Sequence, residues 1–312
     1  MHPTILAIFL AFSRIPASMC GAAIVLFLIA LWAAKTDIAQ ARGLDKIVVL
    51  SNLCFALPLA VFGAEHLSDA ADIMPLVPSY MPWHLFWTYF VGVALLAASL
   101  SIATKIQVRW SGLLFGVMMF LFVAMMDIPG TLADPRNRFS WTLTLREMAF
   151  GGGGWLLAGN ALREPGGRFN IAGRVFPEID PILITVGRVL IGIAATFYGV
   201  ETFRHPTSRP GIPLEKLMPA WIPGQLLIGY VTGAILVLAG ASILLAKKTR
   251  MAATYLGTWI VLLVVFIYGP ILIASLLDPS TAVQVEGLNY FFDTLLFAGA
   301  ILALASATPR TD

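Results

Sequence analysis

Residues 78–129 read PSYMPWHLFWTYFVGVALLAASLSIATKIQVRWSGLLFGVMMFLFVAMMDIP, and residues 219–270 read PAWIPGQLLIGYVTGAILVLAGASILLAKKTRMAATYLGTWIVLLVVFIYGP. Laid over one another at a shift of 141 and without a gap, they agree at 14 of 52 positions. The matches include Pro78/Pro219, Pro82/Pro223, Tyr89/Tyr230, Gly92/Gly233, Arg109/Arg250, Gly116/Gly257 and Pro129/Pro270. Shared apolarity does not produce coincident prolines, glycines and arginines. The pattern predicts one membrane unit used twice, so a functional site should appear twice or survive in one copy.

Composition agrees with a membrane chain. Hydrophobic residues make up 59% of the sequence and charged residues 12%, whereas soluble domains carry about 25% charged residues. The formal charge of +3 comes without a basic stripe and excludes a nucleic-acid partner. The partner that composition implies is the lipid bilayer. Cys20 and Cys54 form no C-x-x-C pair and read as packing residues.

A bilayer core needs about 20 mainly apolar residues per helix. The first half offers 47–66, 84–104, 110–128 and 143–162, and the second offers 182–202, 225–246, 251–276 and 288–307. A further stretch, Ser18 to Ala34, precedes both. The expected fold is an all-α integral membrane protein: two parallel four-helix bundle repeats plus an N-terminal helix, with 8–9 transmembrane helices. The expected divisions are 1–44 for the N-terminal helix and basic link, 45–163 for the first repeat, 164–181 for a linker rich in Gly and Pro, and 182–312 for the second repeat.

Lys and Arg favour the cytoplasmic side. Eleven of them (Lys35, Arg42, Lys46, Lys105, Arg109, Arg163, Arg168, Arg174, Lys247, Lys248 and Arg250) fall on one face of this topology, and five (Arg136, Arg138, Arg204, Arg209 and Lys216) on the other. The first face is therefore expected to be cytoplasmic, in a chain integral to the cytoplasmic (inner) membrane. An even number of spans makes the halves parallel rather than inverted.

Charged residues inside a bilayer are expensive and each needs a reason. The first helix of each half ends in Phe62-Gly63-Ala64-Glu65-His66 or Tyr198-Gly199-Val200-Glu201-Thr202. Aligning Gly153 with Gly299 superposes Glu147 on Asp293. Asp127 ends the third helix, with Tyr268 as its counterpart, and Arg188 stands where the first half has Asn52. These define a candidate polar layer toward the outer face: Glu65, His66, His84, Asp127, Arg146 and Glu147 from the first half, and Glu201, Tyr268 and Asp293 from the second. Arg188 and Glu201 lie 13 residues, or about 20 Å, apart on one helix and cannot pair. Arg146 and Glu147 project about 100° apart and are expected to need other partners. The plain reading of the layer is charges that snorkel or fix packing; the functional one is a water-accessible pocket. No arrangement of histidines or cysteines suggests a metal or haem site. Gly151–Gly154 lack the strand and lysine of a phosphate loop and are expected to permit close helix contact.

Gly187-Arg188-Val189-Leu190-Ile191-Gly192, Tyr198-Gly199-Val200-Glu201, Pro219-Ala220-Trp221-Ile222-Pro223 and Gly233 together resemble a DoxX-type membrane unit. The chain resembles two such units fused over residues 45–307, with Asn52 departing from the pattern in the first. The resemblance implies a role in quinone-linked membrane redox chemistry, beside a membrane or peripheral oxidoreductase partner. No bound cofactor is evident from the sequence; a quinone is the one the resemblance allows. The alternatives are a small-solute transporter or permease and a non-catalytic structural or assembly protein.

Overall fold

The computed structural model describes residues 13–163, 170–171, 174–175 and 179–309. Among these lie nine long helices: α1 (Arg14–Gln40), α2 (Ser51–Ser68, after a helical turn at Asp45–Val48), α3 (His84–Thr104), α4 (Val108–Ala133), α5 (Arg138–Arg163), α6 (Ile179–Arg204), α7 (Gln225–Leu244), α8 (Thr249–Leu276) and α9 (Thr281–Ala307). The only strands described are Asn170–Ile171 and Arg174–Val175, paired antiparallel. Most of the expected linker lies outside the described residues.

Eight of the nine helices are long and apolar enough to cross a bilayer. The ninth, α5, has 26 residues and so spans about 39 Å. It falls short in apolarity alone, because it carries Arg146 and Glu147 and the glycine run. The chain is a multi-pass, all-α integral membrane protein.

α3 and α7 carry no Asp, Glu, Lys or Arg and expose apolar side chains, while α5 and α9 are almost wholly enclosed. The glycine run is what lets α5 sit in the middle. A Cβ at Gly152 would meet Gly187 of α6, one at Gly153 would meet Ala300 of α9, and one at Gly154 would lie 2.8 Å from the Gly112 carbonyl of α4. Three neighbours therefore approach α5 at backbone distance, as small residues allow in membranes.

The packing partners cross between the halves. α2 packs on α3 and α9, while α5 packs on α4, α6 and α9. The first helix of each half thus lies against the fourth helix of the other. α1 lies along α2, where Ser18 donates to Ser68 Oγ at 2.8 Å, and Lys105 at the end of α3 pairs with Asp37 of α1.

Backbone details recur at a spacing of 141. Lys105 and Gln107 have φ of 61° and 58°, and Ala246 and Lys248 have 54° and 50°. In both turns a serine (Ser101, Ser242) donates to the carbonyl five residues on. Trp83 and Gly224, also left-handed, start the second helices. The third helices widen into π-turns at Val123–Asp127 and Val264–Tyr268, just before Pro129 and Pro270. A proline has no amide to donate and its ring crowds the preceding turn, so the helix opens there.

Candidate functional site

Arg146 is the centre of the polar layer. Its Nη1 lies 2.7 Å from Asp293 Oδ2 and its Nη2 lies 2.9 Å from Glu147 Oε1. The first contact joins α5 of one half to α9 of the other. The second corrects the expectation that Arg146 and its neighbour need partners elsewhere: the guanidinium arm is long enough to fold back over the 100° between them. Asp127, at the end of the π-turn in α4, lies within electrostatic range of both Arg146 and Glu147, and its buried Oδ2 has no protein partner. Glu65 of α2 accepts a hydrogen bond of 2.9 Å from Asn289 Nδ2 of α9, and it lies in electrostatic range of Asp293.

Four helices from both halves therefore deliver Glu65, Asp127, Arg146, Glu147 and Asp293 to one depth. One guanidinium stands among four carboxyl groups. Two tyrosines wall the layer. Tyr198 of α6 is fully buried, donates to the Thr142 carbonyl at 3.0 Å and packs edge-on against Phe297. Tyr268, at the end of the π-turn in α8, donates to the Pro210 carbonyl at 2.7 Å.

Pro210 belongs to the segment between α6 and α7, which folds back over the layer. Arg209 N donates to Lys216 O and Met218 N to Thr207 O, both at 2.9 Å, which closes a hairpin-like turn. Its own Ile212, Leu214, Met218 and Ile222 are buried. Gly211 takes φ +107°, and its missing side chain leaves room for Thr294 of α9. The matching segment of the first half forms the turns Ala70–Ile73 and Met74–Leu76 and exposes Leu76, Tyr80 and Trp83. Outside the spans, burial and then the neighbouring Asp72 push the Asp69 carboxyl above its ordinary range. The layer thus has a roof on one side only.

That roof accounts for most of the basic residues that the charge rule left on the wrong face. Arg209 stacks 4.4 Å from the centre of the Tyr290 ring, and Lys216 pairs with Glu286 at 2.9 Å. Arg138 reaches the Pro213 and Leu214 carbonyls at 3.5 Å. Arg204 pairs with Glu201 at 3.2 Å.

Arg188, Glu201 and His66, all expected in the layer, stand apart from the Arg146 cluster, and His84 opens α3, partly buried. Arg188 donates to the Ile243 and Leu244 carbonyls at 2.6 and 3.1 Å, where α7 ends. Asn52 donates to the Ile102 carbonyl at 3.2 Å, where α3 ends. Ile102 and Ile243 are the same position at the spacing of 141, so both residues cap the end of the adjacent helix. Glu201 is buried but bound to Arg204 and close to His205 on its own helix turn. His66 Nδ1 donates to the Phe62 carbonyl at 2.8 Å and packs toward Gly92 of α3.

Asn289 and the roof segment escape sequence reasoning. Asn289 could have been found from its place one turn before Asp293; the roof carries no local signal. Among the described residues no three of His, Cys, Asp and Glu converge as metal ligands. No family model matches this chain, and neither curated proteins nor solved structures include a match to it.

Proposed function

We propose that the chain is one DoxX-like four-helix unit used twice, and that its polar layer handles a quinol beside a membrane or peripheral oxidoreductase. The duplication is supported by the paired left-handed turns, paired π-turns and paired caps at Asn52 and Arg188. The quinol reading is carried by one observation: Arg146 is held between Asp293 and Glu147 with Asp127 and Glu65 in electrostatic range of them.

The donor set fits such a headgroup. A guanidinium can donate to a quinone carbonyl oxygen, and a carboxylate can accept a quinol hydroxyl proton. Oxidation breaks two O–H bonds, sends two protons to the carboxylates and on to water, and passes two electrons to the partner oxidoreductase. The chain's own residues bind the headgroup, fix its orientation and take up the protons.

The test is photolabelling of the purified full chain with a quinone analogue. Saturable labelling on α5 or α9 that is lost in Asp293→Asn and Arg146→Met is the expected result. No saturable labelling by either a ubiquinone or a menaquinone analogue overturns the reading.

A further inference from the structure

The last helix carries a second pattern that runs away from the layer. Glu286, Asn289, Tyr290 and Asp293 are spaced i, i+3, i+4 and i+7, so they share one face of α9 over about 10 Å. Their partners come from three elements: Lys216 and Arg209 of the roof hairpin on Glu286 and Tyr290, Glu65 of α2 on Asn289, and Arg146 of α5 on Asp293. The face descends from beneath the roof hairpin to the Arg146 clamp.

Polar atoms along this descent lack protein partners. They are Nε and Nη1 of Arg209, Oδ1 of Asn289 and Nε of Arg146, all buried. A buried donor or acceptor left unmade costs about 1–3 kcal/mol. Unpaired donors and acceptors in succession are what buried water satisfies, because each water needs two to four polar neighbours. Exposure points the same way. The Asp293 side chain is 11% exposed, Glu147 17% and Arg146 20%, although Asp293 lies more than three turns inside α9. Phe297, one turn deeper, is 0% exposed. Exposure along α9 therefore extends to the clamp and ends by Phe297.

We propose that this face of α9 is a water-filled path from the roofed face to the Arg146–Asp293 pair, along which protons reach and leave the buried carboxylates. Ionisable residues that line a bundle interior commonly serve such relays. The path stands whatever ligand the layer takes, because it rests on the α9 stripe and its unpaired atoms.

Thiol labelling of the full chain in membranes tests it. Cys20 and Cys54 are buried, so replacing both with alanine gives a silent background. In that background Asn289→Cys and Tyr290→Cys should react with a charged, membrane-impermeant thiol reagent roughly tenfold or more faster than Leu288→Cys and Phe292→Cys, since thiol reactivity follows access. The reaction should proceed from the roofed face only. Equal rates at the four positions, or reaction of the stripe from the opposite face, would overturn the path. Two stripe positions are used so that a folding defect in one leaves the other to decide. A failed quinone-labelling experiment leaves these rates unchanged, so the two ideas fail separately.

Discussion

Arg146 Nη1 and Asp293 Oδ2 lie 2.7 Å apart across 147 residues of chain. This single contact ties the fourth helices of the two halves together at the depth where the carboxyl groups gather. Removing one partner of a buried ion pair strands the other, and such losses run to about 3–5 kcal/mol. Arg146→Met should therefore destabilise the chain by about that amount in a detergent unfolding titration. Adding Asp293→Leu should restore part of the loss, because a buried pair replaced by apolar groups of similar size is often neutral. A double variant less stable than Arg146→Met alone would show that the pair is not the main partner of either side chain.

Tyr268 and Tyr198 separate the roof from the layer beneath it. Each hydroxyl donates one buried hydrogen bond to a carbonyl, Tyr268 to Pro210 and Tyr198 to Thr142. Either change to phenylalanine should cost about 1 kcal/mol. Of the two, Tyr268→Phe alone should expose residues 205–224 to protease, since Tyr268 bonds that segment and Tyr198 does not. Equal protease resistance in both variants would remove Tyr268 as the fastening.

Arg188 and Asn52 bond the last carbonyls of α7 and α3. Hydrogen bonds from a charged donor contribute about 1.5–3 kcal/mol and neutral ones about 1 kcal/mol. Arg188→Leu should therefore cost more stability than Asn52→Leu. Neither should change quinone labelling, because neither residue reaches the layer. Loss of labelling in Arg188→Leu at normal stability would place the arginine in the site after all.

Gly299 and Gly130 form a steric pair of tests. A Cβ at Gly299 would meet the Phe55 backbone nitrogen at 2.6 Å, whereas one at Gly130 meets nothing within 4 Å. Gly299→Ala should cost about 1–3 kcal/mol through overpacking against a backbone that cannot yield. Gly130→Ala should be neutral or stabilising by up to about 1 kcal/mol. Thermal unfolding of the two variants side by side reads the difference.

The helices and the layer were largely legible because both follow from local chemistry. Apolar runs of bilayer length gave the spans, and charges out of place in them gave Glu65, Asp127, Glu147 and Asp293. The twin prolines at 129 and 270 carried more than a repeat signal, since each opens the π-turn that ends in Asp127 or Tyr268. Arg188 was grouped with the layer because a charge inside a span reads as a site residue, and it lies instead at the end of α7. Its carbonyl partners belong to the end of another helix and have no sequence signature. The roof was invisible for a similar reason: Thr207 to Ile222 reads as an ordinary polar loop, and tertiary contacts with Arg138, Tyr268, Glu286 and Tyr290 hold it in place. The crossing of partners between halves was hidden too, because helices of similar hydropathy satisfy either pairing equally well.

That crossing gives the molecule a particular birth order. α2 emerges from the ribosome well before α9, one of the three long helices it packs against. The face of α2 at Cys54 and Phe55 has no partner until Gly299 arrives to seat against it. Insertion can proceed one hairpin at a time, but the seam between α2 and α9 closes only once α9 is in place.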